Sequence, residues 1–358
     1  MVDIEQLLDF LVKQLGSDLH LRSGMTPLVR IDGSMMAIKA PVIQCEELQA
    51  AMAKITPERN WKDFLETGDA DFCHDVQGKG RFRVNILRHL PGMGIGAVFR
   101  VIPAKIPTAE EMGLPQAILK LCMLRKGLVL VTGPTGSGKS TTLAAMIDYI
   151  NSNRNDHIIT IEDPVEFVHQ RKKSLITQRE VGTHTKAFSK ALRAALREDP
   201  DIVLVGEMRD LETTHIAIQT AETGHLVFGT LHTTTAASTI DRIVDQFPPE
   251  QQEQIRQMLS GSLMGVISQT LLKRKEGKGR VAAREILIGT SGISNLIRES
   301  KTAQIQSAME LGGRDGMITL NTSLLKLVTD GVVDSNEAMS KALDKKDFQQ
   351  KLQVATGS

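Results

Sequence analysis

One short motif restricts what this chain can fold into more than any other feature. The pattern G-x-x-x-x-G-K-[ST] is matched in full by Gly133, Pro134, Thr135, Gly136, Ser137, Gly138, Lys139 and Ser140. An apolar run precedes the match, and the sequence from Thr141 onward suits the start of a helix. In this context the glycines let successive N–H groups point at phosphate oxygens, and the helix adds its N-terminal partial charge. The chain is therefore predicted to bind a nucleoside triphosphate through residues 133–141.

Two side chains of the motif add chemistry of their own. Lys139 can reach the β- and γ-phosphates, and the Ser140 hydroxyl can ligate Mg²⁺. The motif thus predicts ATP and Mg²⁺ as cofactors. The alternative is a chance glycine-rich turn, which would not require the flanking strand and helix.

Continuous apolar runs continue around the motif, at residues 127–132, 158–161, 202–205 and 226–230. Such runs suit strands that are buried on both faces of a parallel sheet. Helices are predicted between them, at Thr141–Asn151, Lys186–Arg197 and Leu211–Thr223. The alternation indicates an α/β sheet of βαβ units, whose ligands gather at the carboxyl ends of the strands.

Acidic residues end two of these predicted strands. Glu207 follows the run at 202–205, where a carboxylate beside the phosphate loop can orient the attacking water, accept its proton and help to hold Mg²⁺. Glu162 and Asp163 follow the run at 158–161 and are candidates for catalytic water or metal contacts. Glu166 is a weaker candidate, because it could face solvent. Alone, Glu207 would be read as a solvated loop residue; the phosphate loop favours the catalytic role.

Two histidines flank the predicted strand at 226–230. His232 follows it, and a histidine at the carboxyl end of a strand can donate a hydrogen bond to a γ-phosphate and report its loss. His225 precedes it, and we consider a nucleotide role and a local structural role equally for this residue. A lone histidine more often satisfies a nearby backbone group.

The two ends of the chain differ from this central part. Residues 1–102 show an amphipathic helix and short alternating segments, with a hairpin signal at Asp32-Gly33, and are predicted to form a small α+β domain. Pro103 and Pro107 break the pattern, so a linker is placed at 103–112. Residues 113–358 form the second domain. After about residue 250 it is predicted to be mainly helical, with a strand at 281–288 and a frayed or disordered tail from Asp344.

Composition excludes several classes of protein. Net charge is +1 and aromatic residues make up 3%, which disfavours nucleic-acid binding. No apolar stretch approaches the length that spans a bilayer, and the first residues lack a signal-peptide pattern. We therefore expect a cytoplasmic protein that is not itself inserted into a membrane. Cys45, Cys73 and Cys122 are odd in number and far apart, which predicts reduced, mostly buried thiols.

Four segments in one order carry a resemblance to a known family. They are the phosphate loop, an acidic box at 161–167, the run at 196–210 and the segment at 221–233. They resemble the Walker A, Asp box, Walker B and His box of the secretion ATPases of the type II and type IV pilus class, and most closely the retraction ATPases of type IV pili. The segments at 17–21 and 81–85 are similar to the PAS-like N-terminal domain of that family. The resemblance implies a RecA-like P-loop ATPase domain, a PAS-like α+β domain before it and a helical C-terminal region.

The resemblance also implies an oligomeric assembly and a mechanical function. It implies a homohexamer that hydrolyses ATP to power pilus retraction, working with an inner-membrane platform protein and with other pilus ATPases, peripheral to the inner membrane. ATP would lie between the N-terminal and ATPase domains. Arg81, Arg83 and Arg100 lie on predicted N-terminal strands, and alternation puts Arg81 and Arg83 on one face. They are candidate arginine fingers, with surface ion pairs as an equal alternative.

One motif departs from the family pattern. Near the C-terminus the family carries AIRNLIRE, and here Asn295–Glu299 match while Gly292 and Ser294 replace Ala and Arg. An accessory retraction ATPase or an assembly ATPase is therefore kept as an alternative. Two different classes also stay open: a nucleic-acid motor with the same ATPase core, and a nucleotide-binding scaffold. The presence of both Glu207 and Lys139 argues against the scaffold.

Overall fold

The computed structural model describes residues 2–31, 33–89, 94–102, 105–277 and 279–356. Contacts divide the chain into two compact units, Met1–Lys105 and Ile106–Ser358. Pro103, with which the predicted linker begins, lies outside the described residues, as does Asp32 of the predicted hairpin turn.

The first unit is a six-stranded antiparallel sheet with helices on one face. Its strands are β1 (Asp18–Arg22), β2 (Leu28–Ile31), β3 (Ser34–Ala37), β4 (Asp69–Val76), β5 (Gly80–His89) and β6 (Gly94–Ile102), in the order β3-β2-β1-β6-β5-β4. Its helices are α1 (Ile4–Lys13), α2 (Cys45–Ile55) and α3 (Glu58–Thr67). The amphipathic helix predicted at the start of the chain is α1, and the short alternating segments form strands of the sheet.

Alternation along the strands builds the core of this unit. On β5, Phe82, Val84 and Ile86 are buried, and they pack with residues of α1 and α2 such as Leu8 and Met52. Side chains of a strand alternate between its two faces, so the residues between these apolar positions face away from the helices. That outer face of the sheet carries the arginines considered below.

The second unit is built on a seven-stranded sheet that is parallel except at one edge. Its strands are β7 (Gly127–Thr132), β8 (His157–Glu162), β9 (Leu175–Glu180), β10 (Ile202–Val205), β11 (Leu226–Leu231), β12 (Leu263–Lys273) and β13 (Arg280–Ile288), in the order β13-β12-β7-β11-β10-β8-β9. Its first helices are α4 (Gln116–Cys122), α5 (Lys139–Asn153), α6 (Phe188–Ala195), α7 (Leu211–Glu222), α8 (Ala236–Val244) and α9 (Pro249–Ser262). The α/β fold class is confirmed.

Strand β12 was not expected, because the region after residue 250 was predicted to be helical apart from 281–288. β12 pairs in parallel with β7 and antiparallel with β13. The polar residues Ser268 and Gln269 interrupt its apolar pattern, so the segment does not show the continuous run of the other central strands. Both side chains are buried, and both contact the segment around the phosphate loop.

Helices complete the second unit after β13. They are α10 (Ser291–Arg298), α11 (Ile305–Leu311), α12 (Leu320–Thr329), α13 (Ser335–Lys341) and α14 (Lys345–Thr356). In α10, Ile293 and Ile297 are buried, whereas Gly292 is exposed and Ser294 is partly exposed. The two departures from the family motif therefore lie off the apolar face of this helix.

The expectation of a frayed or disordered tail from Asp344 is wrong. Residues 345–356 form α14, in which Phe348 is fully buried against the core that includes Leu324 of α12. The Asn321 side-chain amide of α12 also donates to the Asp347 carboxylate, at 2.8 Å. One buried aromatic ring and one buried amide thus fix a helix whose composition is otherwise polar.

Two further expectations concern membrane-spanning segments and the cysteines. Nowhere in the described ranges does a helix combine the length and apolarity needed to cross a bilayer. Cys122 is buried, whereas Cys45 and Cys73 are partly exposed, so the expectation that most of the thiols are buried is wrong.

Candidate nucleotide site

The topology of the second unit brings the predicted site residues to one edge of its sheet. Strands β8, β10, β11 and β7 run parallel and are adjacent in that order. Their carboxyl ends therefore meet at the same edge. Glu162 is the last residue of β8, the phosphate loop begins directly after β7, and Glu207 and His232 follow β10 and β11. The sheet thus brings candidate site residues from four separate segments of the chain to one edge.

The phosphate loop has the backbone that its glycines were expected to allow. Gly133, Gly136 and Gly138 have φ values of +142°, +77° and +85°, a region that side-chain-bearing residues rarely adopt. Lys139 is the first residue of α5, which has no side-chain hydrogen bond at its N-cap. The first N–H groups of a helix have no partner within it. This end of α5 therefore offers donors and a partial positive charge to phosphate oxygens.

A buried glutamine from β12 supports the loop from outside the motif. The Gln269 Nε2 donates to the Ser137 carbonyl at 2.6 Å, and its Oε1 accepts from the Thr142 hydroxyl at 2.8 Å. One residue earlier, the Ser268 hydroxyl lies 2.7 Å from that of Thr132, the last residue of β7. This support was not predicted from the sequence, where its only signal is a pair of polar residues within an apolar segment.

Removing the Gln269 side chain is expected to loosen the loop without unfolding the sheet. Gln269→Ala leaves a buried carbonyl and a buried hydroxyl without partners, which costs about 1–3 kcal/mol for each group. We expect ATP affinity to fall by about tenfold, measured by titration with a fluorescent ATP analogue. Gln254→Ala, at an exposed position of α9, is the control. An unchanged affinity in Gln269→Ala would show that the loop holds its shape alone.

Glu207 lies where a general base is required and is held as an anion. Its Oε1 is 3.0 Å from His232 Nε2 and forms an ion pair with Arg209. Burial works to raise the pKa of Glu207, but the hydrogen bond and charge of Arg209, together with His232, outweigh it and hold that pKa below its usual value. Such a carboxylate is unprotonated at neutral pH and can accept a proton from water. Arg209 was not singled out in the sequence, although it lies only two residues beyond Glu207.

The charges of Glu207 and Glu166 act on Lys139 of the phosphate loop. Its ammonium donates to the Gly133 carbonyl at 2.8 Å. Burial lowers the pKa of Lys139, while the negative charges of Glu207 and Glu166 act to raise it. The cation of the phosphate loop therefore lies within the electrostatic range of both acids, which supports the predicted grouping of Lys139 with Glu207.

The acidic box after β8 takes a more local arrangement. The Glu162 Oε1 accepts from the Thr160 hydroxyl at 2.6 Å and from the Gln178 amide at 3.3 Å, and burial raises the pKa of Glu162. Asp163 and Glu166 are exposed. Glu162 lies at the predicted edge of the sheet, and its part in water or metal contacts stays a prediction.

The two histidines lie at opposite ends of β11. His232 follows its carboxyl end and contacts Glu207. His225 precedes its amino end, where the His225 carbonyl accepts from the Gly127 N–H and the ring Nδ1 lies 3.2 Å from the Thr220 carbonyl. A six-residue strand separates these ends by about 20 Å. The structure thus shows a local backbone contact for His225, and the nucleotide role that was considered equally for this residue stays a prediction.

The three candidate arginines of the first unit lie on the outer face of its sheet. Arg81 and Arg83 alternate with buried residues of β5, which confirms that they share a face, and Arg83 lies directly opposite Arg100 of β6. The Arg100 Nε donates to the Asp18 carboxylate at 2.8 Å, and the Arg81 Nε lies 3.7 Å from Asp75. Ion pairs are thus present for two of them, and contact with a nucleotide stays a prediction.

The donor set fits Mg²⁺ bound mainly through a nucleotide. Within the part of the chain that is described, no group of three or more His, Cys, Asp or Glu side chains is placed to hold a metal ion by itself. Mg²⁺ in phosphate-transfer sites keeps several waters and takes one or two protein ligands in addition to phosphate oxygens. The Ser140 hydroxyl with the carboxylates of Glu207 and Glu162 would provide such ligands.

Comparisons with known proteins show which family the chain resembles over nearly its whole length. The chain is 55% identical to the type IV pilus retraction ATPase PilT of Pseudomonas aeruginosa over 341 residues, which cover 95% of this chain and 98% of that protein. It is 51% identical to a twitching motility protein of Neisseria gonorrhoeae, over 88% of this chain and 84% of the relative. The crystal structure of the pilus retraction motor PilT with bound ADP matches with a TM-score of 0.91 at 48% identity, over 98% of this chain and all of that one. The family model described as type II/IV secretion system protein matches residues 2–353, and the chain therefore belongs to this family.

Proposed function

We propose that this protein is an ATP-hydrolysing motor that powers retraction of a type IV pilus. The proposal of hydrolysis rests on one observation. Glu207, held as an anion, lies at the same sheet edge as the phosphate loop and contacts His232. A binding protein that does not hydrolyse ATP would not need an ionised carboxylate there. The retraction role is supported by the 55% identity to PilT.

In this proposal each residue of the site has a part in hydrolysis. Lys139 and the N–H groups of the loop bind the phosphates, and Glu207 orients the attacking water and takes its proton. His232, hydrogen-bonded to Glu207, is positioned to respond to the γ-phosphate. Mg²⁺, held by Ser140 with Glu207 and Glu162, would neutralise charge on the phosphates. The products are ADP and inorganic phosphate.

The step from hydrolysis to mechanical work belongs to an assembly. We propose a homohexamer in which Arg81, Arg83 or Arg100 approaches the γ-phosphate, so that its loss changes the arrangement of the two units. Residues 103–112 would act as the hinge between a domain at 1–102 and one at 113–358. The ring would act on a platform protein of the inner membrane from the cytoplasmic side, alongside other pilus ATPases.

The rival functions have less support. A nucleic-acid motor needs a basic groove or stacking aromatics, whereas this chain has a net charge of +1 and 3% aromatic residues. ATPase activity that rises severalfold on addition of single-stranded or duplex DNA would favour that rival. An accessory or assembly ATPase would use the same kind of site, so only its effect on pili in the cell distinguishes it from a retraction ATPase.

Deletion of the gene separates retraction from assembly. We expect the deletion strain to carry more surface pili than its parent and to lose twitching, because pili would still be assembled but not withdrawn. Electron microscopy of surface pili and a twitching-zone assay measure the two effects. Re-expression of the wild-type chain should restore twitching, whereas an empty vector should not. A strain without surface pili would contradict retraction and favour assembly.

A further inference from the structure

A buried carboxylate outside the predicted site joins two helix starts. Glu285 of β13 has 1% of its surface exposed. Its Oε1 accepts from the Ala236 N–H at 2.7 Å, and its Oε2 accepts from the Leu320 N–H at 3.3 Å. Ala236 is the first residue of α8 and Leu320 is the first residue of α12. Both helices therefore direct the positive ends of their dipoles at one carboxylate, which favours its charged form, whereas burial outweighs this effect and raises the pKa of Glu285.

One of these helices begins directly after the histidine of the site. Only residues 233–235 separate His232 from Ala236, and His232 Nε2 lies 3.0 Å from Glu207 Oε1. The intervening segment is held to α8 as well, because the Thr233 hydroxyl lies 2.7 Å from the Thr239 hydroxyl. A displacement of the first turn of α8 would therefore move His232 relative to Glu207.

Glu285 is also connected to the phosphate loop, through the neighbouring strand β12, and to the C-terminal helices, through α12. Ser268 lies directly opposite Glu285 in the β12–β13 pair, and its hydroxyl contacts Thr132 at the end of β7. Leu320 begins α12, the helix that holds α14 through Asn321. Glu285 is thus the point at which the strand beside the phosphate loop, the helix after His232 and the C-terminal helices meet.

We propose that Glu285 is a positioning residue for ATP hydrolysis, which fixes the start of α8, and with it His232, relative to the C-terminal helices. The proposal rests on the role of His232 in the proposed function. Glu285 itself contacts backbone N–H groups and not the nucleotide loop. Its loss should therefore lower kcat and leave the KM for ATP nearly unchanged, because Lys139 and the loop remain in place.

A double-mutant cycle with His232 distinguishes positioning from general stability. Glu285→Gln keeps the volume but replaces one acceptor oxygen with a donor, and we expect it to lower kcat by about tenfold with KM changed less than about twofold. In a His232→Ala background the same change should alter kcat by less than about twofold. Asn321→Ala, which loosens α14 without touching α8, controls for instability. Effects of Glu285→Gln and His232→Ala that multiply in the double variant would overturn the proposal.

A second variant tests the hydrogen bond without altering the carboxylate. Ala236→Pro deletes the N–H at the first position of α8, where proline is favoured, and Thr235 before it has the extended backbone that proline requires. We expect the same loss of kcat, and no further loss when it is combined with Glu285→Gln. Ser335→Pro, at the first position of α13, is the matched control and should leave kcat unchanged. Full activity of a folded Ala236→Pro variant would overturn the proposal.

The proposed hydrolysis is tested separately from Glu285. Wild-type turnover that Glu207→Gln abolishes supports hydrolysis at this site whatever the result at Glu285. Absence of wild-type turnover in an assembled, nucleotide-bound preparation would contradict the proposed function itself and the positioning role with it.

Discussion

Glu207→Gln is expected to reduce ATP hydrolysis by at least about 100-fold while ATP binding is retained, since general-base catalysis contributes 10²–10⁴-fold. Glutamine keeps the shape and can still hydrogen-bond to His232 and Arg209, but it cannot accept a proton from water. The phosphate loop and Lys139 are unchanged, so the Kd for ATP should stay within a few fold. Phosphate release under saturating ATP and titration with a fluorescent ATP analogue measure the two quantities.

The control for this experiment is an acid of the same type close in sequence. Glu212 is exposed on α7 and pairs with Arg193 at 2.8 Å, so Glu212→Gln should hydrolyse ATP at the wild-type rate. Turnover of Glu207→Gln equal to the wild type would rule out Glu207 as the base and direct attention to Glu162. Loss of binding together with turnover would instead assign Glu207 a role in holding the nucleotide.

Gly133→Ala is the second change with a large expected effect. A Cβ at Gly133 would lie 2.3 Å from the Gln269 carbonyl oxygen and 2.6 Å from the Ser137 hydroxyl, and the φ of +142° is itself unfavourable for alanine. Backbone strain of this kind costs on the order of 1–3 kcal/mol before the clash is counted. The loop must shift, and we expect ATP affinity to fall on the order of 100-fold, measured as a Kd.

A second glycine of the same loop separates the clash from the strain. Gly136 also has a positive φ, +77°, but a Cβ there would have no heavy atom within 4 Å. Gly136→Ala should therefore lose no more than about tenfold in affinity. Circular dichroism melting confirms that both variants fold. Equal affinities for Gly133→Ala and Gly136→Ala would mean that the contact with Gln269 does not determine the shape of the loop.

The central strands and the catalytic end of the site could be predicted from sequence for a physical reason. The strands at 127–132 and 202–205 are buried on both faces, so each is a continuous apolar run with clear ends. Once such strands are parallel, the residue after each one must lie at a common edge. This reasoning placed Glu207 and His232 together, and their contact at 3.0 Å agrees with it. For His225, which precedes the same strand, it left the nucleotide role and the local structural role open.

Residues that act through long-range contacts could not be predicted in the same way. Gln269 and Glu285 are polar residues within largely apolar strands, and their partners lie 132 and 49 residues away in the chain. No local pattern marks such a pair, because its spacing is set by the pairing of β12 with β7 and β13. The helix at 345–356 was missed for a related reason: Phe348 is the only apolar side chain in its first turns, and its partner helix must be known before its burial can be inferred.

The contact between Gln269 and the phosphate loop also constrains how the protein is made. The ribosome delivers Gly133–Ser140 long before β12, and until then the Ser137 carbonyl and the Thr142 hydroxyl lack the partner that they have in the finished fold. β7 likewise lacks one of its two neighbouring strands at that stage. A growing chain therefore carries the complete motif before it has a complete binding loop. The phosphate loop therefore gains its buried support late in synthesis, when β12 has joined the sheet.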